Sequence, residues 1–356
     1  MEVYLKKCMF AKMNGPRILI TGGAGFIGSN TAEYFINKGY DVTVLDNLSR
    51  KGSKNNLLIL KKDYPMIRFV KADIRTDIKL LEKETRNTDY VIHLAAQTAM
   101  TSSIIDPRYD FESNALGTFN VLEAARKSKK TPKLIFSSTN KVYGQMEDVK
   151  VTETQSRYVY KNITAIDEHR PIDFHSPYGC SKGCADQYVR DYYRIYGLPT
   201  VVFRQSCIYG PRQFGIEDQG WVAWFAIAAS LNLPLTLYGD GKQVRDVLFV
   251  KDLVRAYELA LKSKKTAGQI YNIGGGPKNT LSLLELISIL EKLLSKKISY
   301  KFGPWRAGDQ KVYISDIRKA EKDFSWKPST SPQKGVKIML AWIKQNISTI
   351  QESLNV

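Results

Sequence analysis

Thr21-Gly-Gly-Ala-Gly-Phe-Ile-Gly-Ser29 is the stretch on which the reading of this chain turns. It follows a short apolar run, Arg17 to Thr21 (RILIT), and leads into a helical pattern through Asn30 to Lys38 that stops at Gly39. Gly22, Gly25 and Gly28 thus form G-x-x-G-x-x-G between a strand and a helix. Glycines there let the backbone turn tightly and approach a pyrophosphate. The helix N-terminus adds unpaired N–H groups and a partial positive charge. In that context the spacing predicts a dinucleotide site that includes Phe26 and Ile27.

Outward from the turn, strand and helix alternate. Asp41 to Leu45 (DVTVL) is a second strand ending at Asp46, and Ile67 to Val70 leads to Asp73 and Ile74. Tyr90 to Leu94 (YVIHL) runs into Ala95, Ala96 and Gln97. A helix from about Asn114 to Lys127 precedes the strand Lys133 to Ser137, and a helix Tyr178 to Tyr196 precedes the strand Thr200 to Arg204. Short connections between such elements predict an α/β fold, a Rossmann-type doubly wound parallel sheet. The continuous apolar strands fit a sheet covered on both faces.

Gln145 to Ser176 is polar and reads as loops near the site. After Cys207 the character shifts, and Arg245 to Leu261 reads as a return to the first lobe. Ser282-Leu-Leu-Glu285 is a capping box opening an amphipathic helix, with Leu283, Leu284, Leu286, Ile287, Leu290, Leu293 and Leu294 on or near its buried face. The expected division is an N-terminal extension (1–14), a dinucleotide-binding domain (15–207, with the return at about 245–261) and a smaller, discontinuous α/β substrate lobe (208–356).

Asp46 ends the second strand. A carboxylate there accepts hydrogen bonds from both ribose hydroxyls and repels a 2′-phosphate, so NAD is expected over NADP even with Arg50 and Lys51 close by. Asn47 is counted with this site. Asp73 reaches for the adenine amine or caps a helix. Ala95, Ala96 and Gln97 line the cofactor, whereas His93, inside its strand, is expected to be a satisfied core residue.

Tyr178 and Lys182 stand at i and i+4 on one helix face. Free tyrosine titrates near pH 10 and is a poor base at neutrality. An ammonium at about 4 Å and an effective dielectric near 20 favours the phenolate by about 4 kcal/mol, opposed by burial. Thr139, after the strand Lys133 to Ser137, places a hydroxyl able to bridge a substrate oxygen and the phenolate. Thr139, Tyr178 and Lys182 are the expected catalytic set. Tyr178 and Lys182 also count as cofactor-binding, and Gln97 and Met100 as candidates to face the substrate.

Composition bounds the rest. The 356 residues suffice for two lobes, and no apolar run reaches bilayer length. The N-terminus lacks a signal-peptide pattern. A net charge of +18 comes from scattered lysines with no basic stripe interleaved with aromatics, so no nucleic-acid partner and no membrane are expected. Cys8, Cys180, Cys184 and Cys207 form neither a disulfide framework nor a zinc site, which predicts no metal and a cytoplasmic location.

Taken together, TGGAGFIGSN, DNLSRKG, SSTNKVYG, FHSPYGCSKG and DQGW identify the chain as a member of the extended short-chain dehydrogenase/reductase family acting on nucleotide sugars. Within that family it resembles the 2-epimerases of CDP-linked sugars, from about Arg17 to about Trp342. The resemblance implies tightly bound NAD, a CDP-sugar substrate oxidised transiently at C2, and a part in polysaccharide biosynthesis. It implies that Arg245 and Arg306 hold the diphosphate and that Asn140 and Cys207 contact substrate. It also implies a homodimer that pairs the helices near 114–127 and 178–196 into a four-helix bundle. Asn140 and Lys141 stand where sugar 4,6-dehydratases carry an Asp–Glu pair, and Cys207 stands where many relatives carry asparagine. The alternative within the family is a UDP- or other NDP-sugar 4-epimerase. The alternative outside it is a non-catalytic NAD-sensing or RNA-binding protein on the same fold.

Overall fold

The computed structural model describes residues 15–306 and 308–354; the expected extension 1–14, with Cys8, lies outside them. Seven parallel strands form the central sheet: β1 (Arg17–Thr21), β2 (Asp41–Asp46), β3 (Arg68–Lys71), β4 (Tyr90–His93), β5 (Lys133–Thr139), β6 (Thr200–Gln205) and β7 (Gln269–Ile273). Their spatial order is β7-β6-β5-β4-β1-β2-β3. The order reverses between β1 and β4, which pair in parallel from Ile18 opposite Tyr90 to Thr21 opposite His93. The crevice outside the carboxyl ends of strands at such a switch point is where doubly wound folds bind ligands.

Alternation along β1 divides the core. Ile18 and Ile20 face one side, with Phe35 of helix α1 (Phe26–Asn37) and Leu253 and Tyr257 of a later helix (Val250–Lys262). Leu19 faces the other, with Val121 and Leu122 of α2 (Gly117–Arg126) and Ala185 and Val189 of α3 (Ser176–Tyr196). Both faces are covered, which is why these strands are apolar throughout. Helix α1 starts at Phe26, a turn earlier than the apolar pattern suggested, because the glycine turn is finished by Gly25, whose extended ψ of 179° places it at the N-cap.

The expected return segment, about 245–261, is too short. Strand β7 lies beyond it and pairs with β6 from Gln269 opposite Val201 to Ile273 opposite Gln205. Phe324 and Trp326 also pack into the core of the first lobe. The Gln145–Ser176 stretch is not all loop, since Val151–Glu153 and Tyr158–Tyr160 pair as an antiparallel hairpin. The second lobe packs Trp221–Leu231, Leu283–Leu294 and Pro332–Gln345 around Phe225, Leu237, Leu286, Leu290 and Met339. The capping box at Ser282 forms: its hydroxyl accepts from Glu285 N at 3.1 Å, and Glu285 Oε2 accepts from Ser282 N at 2.9 Å. Leu293, by contrast, is exposed. Among the described residues no helix is long and apolar enough to cross a membrane.

Candidate active site

A cleft of about 540 Å³ runs from the glycine turn to the second lobe. The three glycines do different things along it. Gly22 takes φ +67°, and a Cβ there would lie 2.6 Å from Ala95 N. A Cβ on Gly28 would lie 2.2 Å from Gly22 O, so this glycine lets α1 press against the turn. A Cβ on Gly25 would meet only Gly22 O, at 3.1 Å, within 4 Å; it would otherwise project into open space beside a helix N-terminus. That is the cradle a pyrophosphate requires.

The carboxyl end of β2 brings Asp46 to the same cleft. Burial pushes its carboxyl up, while the N–H groups of Leu48 (2.8 Å) and Ala24 (3.1 Å) pull it back. Asp73 does not cap the next helix, whose N-cap is Asp77. Its carboxylate is held by Arg75 at 2.9 Å and by Asn47 Nδ2 at 3.0 Å. His93 is a core residue: its ring lies between the hydroxyls of Thr21 (2.7 Å) and Thr118 (3.0 Å), and burial lowers it to about 3.

Strand β5 delivers Thr139 to the cleft floor, and the first turn of α3 delivers Tyr178. Thr139 Oγ1 accepts from Lys141 N at 3.2 Å, so it caps the short 3₁₀ turn Asn140–Tyr143. The same side chain faces the Tyr178 phenol closely enough to bear on its ionisation. Burial raises Tyr178; the Thr139 hydroxyl and the Arg50 guanidinium lower it, and Asp110 raises it. The register of α3 is fixed behind the site by a buried ion pair, Arg204 Nε to Asp186 at 3.0 Å, with Ser138 Oγ donating to Asp186 at 2.7 Å.

Lys182 is anchored by the strand on which its helix packs. Its amine donates to Ser137 O at 2.5 Å and lies 4.2 Å from the centre of the Phe136 ring. The strand-end carbonyl and aromatic face hold it, and the Arg50 guanidinium lowers the phenol. Burial lowers Lys182 to about 7. Gln97 departs from expectation: among the expected residues it alone does not line the cleft. Its N–H is tied to Asn114 Oδ1 at 2.9 Å, and its side-chain amide turns onto Ala99 O at 2.7 Å.

Gly22, Gly25, Phe26, Ile27, Gly28, Asp46, Asn47, Asp73, Ile74, Ala95 and Ala96 gather at one end. Thr139, Asn140, Tyr178, Lys182 and Met100 meet in the middle. Cys207, Arg245 and Arg306 line the far wall. Cys207 has a left-handed φ of +35°, and burial raises its thiol. Arg245 pairs with Asp309 at 2.8 Å. Arg306 reaches Asp218 at 3.2 Å and stacks on Tyr238 at 3.9 Å. Sequence reading missed Lys141, Asp309 and Tyr238 as cleft residues. Lys141 and Asp309 could have been noticed, one two places after Thr139 and the other three after Arg306.

A doubly wound sheet with a glycine turn at its switch point and a Tyr-x-x-x-Lys helix facing the same cleft defines an extended short-chain dehydrogenase/reductase. Residues 19–339 match the family described as GDP-mannose 4,6 dehydratase, and the chain belongs to that family. It is 46% identical to the CDP-paratose 2-epimerase of Salmonella typhi over 334 residues, covering 92% of this chain and 98% of that protein. The crystal structure of Thermotoga maritima UDP-glucose 4-epimerase with UDP-glucose superposes with a TM-score of 0.81 at 32% identity, covering 93% and 99% of the two chains. The dTDP-glucose 4,6-dehydratase of Streptomyces venezuelae, solved with NAD and TYD bound, gives 0.80 at 32%, covering 95% and 99%.

Proposed function

We propose that this protein is an NAD-dependent epimerase that inverts C2 of a CDP-linked sugar of the CDP-paratose/CDP-tyvelose type. The observation that carries the reading is the meeting of Thr139 and Tyr178 in a cleft with a pyrophosphate cradle at one end and two arginines at the other. The 46% identity to a CDP-paratose 2-epimerase supports the choice of carbon and nucleotide.

The residues present fit NAD. The backbone at Gly22, Gly25 and Gly28 would hold its pyrophosphate, Asp46 its adenosine ribose, and Tyr178 and Lys182 its nicotinamide end. When bound, it takes hydride from a substrate carbon and gives it back, with no net redox change. Tyr178, as the phenolate, accepts the proton of the C2 hydroxyl, and Thr139 orients that hydroxyl. Arg245 and Arg306 keep the diphosphate while the resulting 2-keto sugar presents its other face; guanidinium suits that task because its forked N–H groups match phosphate oxygens. Tyr178 then returns the proton to the oxygen on C2, now inverted. Asn140 and Lys141 supply no carboxylic acid–carboxylate pair for loss of water, which sets the chain apart from a dehydratase.

Leu116, Phe119, Tyr188 and Ile195 are exposed on or next to α2 and α3, an apolar face suited to a homodimeric four-helix bundle. The described cysteines are free, which fits a reducing cytoplasm.

The test is NMR of the purified protein with CDP-paratose and, separately, UDP-glucose, without added reductant. A new CDP-tyvelose anomeric signal is expected. Conversion of UDP-glucose alone, giving UDP-galactose, would move the chemistry to C4 and replace this reading.

A further inference from the structure

Lys141 follows Thr139 by two residues, and its backbone is fixed from two sides. Its N–H is held by the Thr139 hydroxyl at 3.2 Å, and its carbonyl lies against the first turn of α3, within 3.7 Å of where a Cβ on Gly179 would stand. Val142 and Tyr143, the next residues, are fully buried. The amine is treated differently. It enters the cleft, and its one hydrogen-bond acceptor among the described residues is Gly308 O, at a long 3.3 Å. Asp309, a carboxylate that bears on it, is engaged by Arg245 at 2.8 Å. Burial lowers the Lys141 ammonium, and the Arg245 guanidinium lowers it further. An ammonium has three donors; Gly308 O takes one, in a cleft that Cys207 and Arg245 also line.

We propose that Lys141 holds the hexose of the substrate, donating to a sugar hydroxyl and keeping that contact while the ring turns between the two hydride transfers. This rests on the epimerase reading above. Position selects the hexose: the Lys141 backbone is bonded to the same Thr139 hydroxyl that meets the Tyr178 phenol, and its side chain runs from there toward Arg245, across the span between the reacting carbon and the diphosphate. The diphosphate has two guanidinium groups of its own. Chemistry selects the residue type as well. A lysine is a point donor on a flexible four-carbon stem, so it can follow a hydroxyl that moves, which a rigid fork cannot.

Titration calorimetry of the NAD-loaded protein with CDP-paratose and with CDP separates the possibilities. Lys141→Met is expected to weaken CDP-paratose by roughly 10-fold while leaving CDP within about twofold. On mixing with CDP-paratose, Lys141→Met should also accumulate reduced nicotinamide absorbance, because the keto sugar escapes before hydride returns. Lys141→Gln, which keeps a donor, should recover part of the lost affinity. Equal weakening of CDP and CDP-paratose would place Lys141 on the diphosphate and overturn the inference; unchanged affinity for both would do the same. If the unaltered protein binds neither compound, the CDP-sugar reading itself fails, and the inference falls with it.

Discussion

Around Gly22, Gly25 and Gly28 the cleft wall is backbone, and the carboxylates beside it are tied down: Asp46 by the N–H groups of Ala24 and Leu48, Asp73 by Arg75 and Asn47. Around Lys141, Arg245 and Arg306 the wall is three long cationic side chains that share two carboxylates, Asp309 and Asp218. The first wall needs no ordering to receive a ligand, because its donors are fixed by the turn itself. The second must order its side chains, but it can adjust as the ligand moves. In the proposed reaction the dinucleotide stays and the sugar turns, so each wall suits what it holds.

Replacing Tyr178 with Phe, where the walls meet, gives the largest expected effect. Turnover should fall by roughly 10²–10⁴-fold, while NAD content and CDP affinity stay as they were. Near-full activity would remove Tyr178 from its role and leave the two walls without a shared reaction. Arg245→Gln comes next. It should raise KM for the nucleotide sugar by roughly 10–100-fold, the worth of a hydrogen bond to a charged group, with NAD retention unchanged. Joint loss of NAD would show that the two ends are not separable.

Lys182 lies between them and tests whether burial or charge pairing governs the junction. Burial lowers it to about 7 in the folded protein, against about 10.4 in an unfolded chain. Between those values the unfolded chain keeps a proton that the folded chain has shed, so the contribution of Lys182 to stability climbs as pH rises through this window. Lys182→Met should therefore gain stability relative to the parent, by an amount larger at pH 7 than at pH 9; the difference should be on the order of 1–2 kcal/mol in urea unfolding of nucleotide-free protein. A gain independent of pH would mean that the amine stays charged in the fold. The smallest expected effect is that of Asp46→Asn, which keeps an acceptor and removes the charge. Preference for NAD over NADP, measured by competitive binding, should narrow by roughly 5–10-fold, about 1 kcal/mol, without change at the sugar end.

The backbone wall was legible in the sequence because its determinants are contiguous. Gly22, Gly25 and Gly28 impose one turn, and Asp46 follows from where one strand stops. Tyr178 and Thr139 were legible for a similar reason, each being placed by a single element. Side chains whose direction depends on distant neighbours were not. For Lys182 the helix face was legible, but not the partners its amine takes, Ser137 O and the Phe136 ring. Gln97 was expected in the cleft, but Asn114, in the π-helical turn Glu112–Leu116, fixes its backbone. Asp309 has meaning only beside Arg245, 64 positions earlier, and nothing local announces that pairing. Strand β7 was missed because a five-residue run, QIYNI, separated from β6 by part of the second lobe and the helix Val250–Lys262, carries no sign of its partner.

That distant partner has a consequence for how the protein is made and remade. Residues 208–249 are inserted in the crossover from β6 to β7, so the sheet stays one strand short until the inserted portion has been synthesised. A nascent or truncated chain ending near Cys207 would present β6 as a bare apolar edge, a template for association with other chains. The two halves of the cleft are therefore not cassettes. Exchanging the sugar-facing lobe for that of a relative requires grafting both ends of that insertion together with Leu283–Leu294 and Pro332–Gln345, which follow β7 and complete the lobe, while β7 and the Phe324–Trp326 packing stay with the recipient.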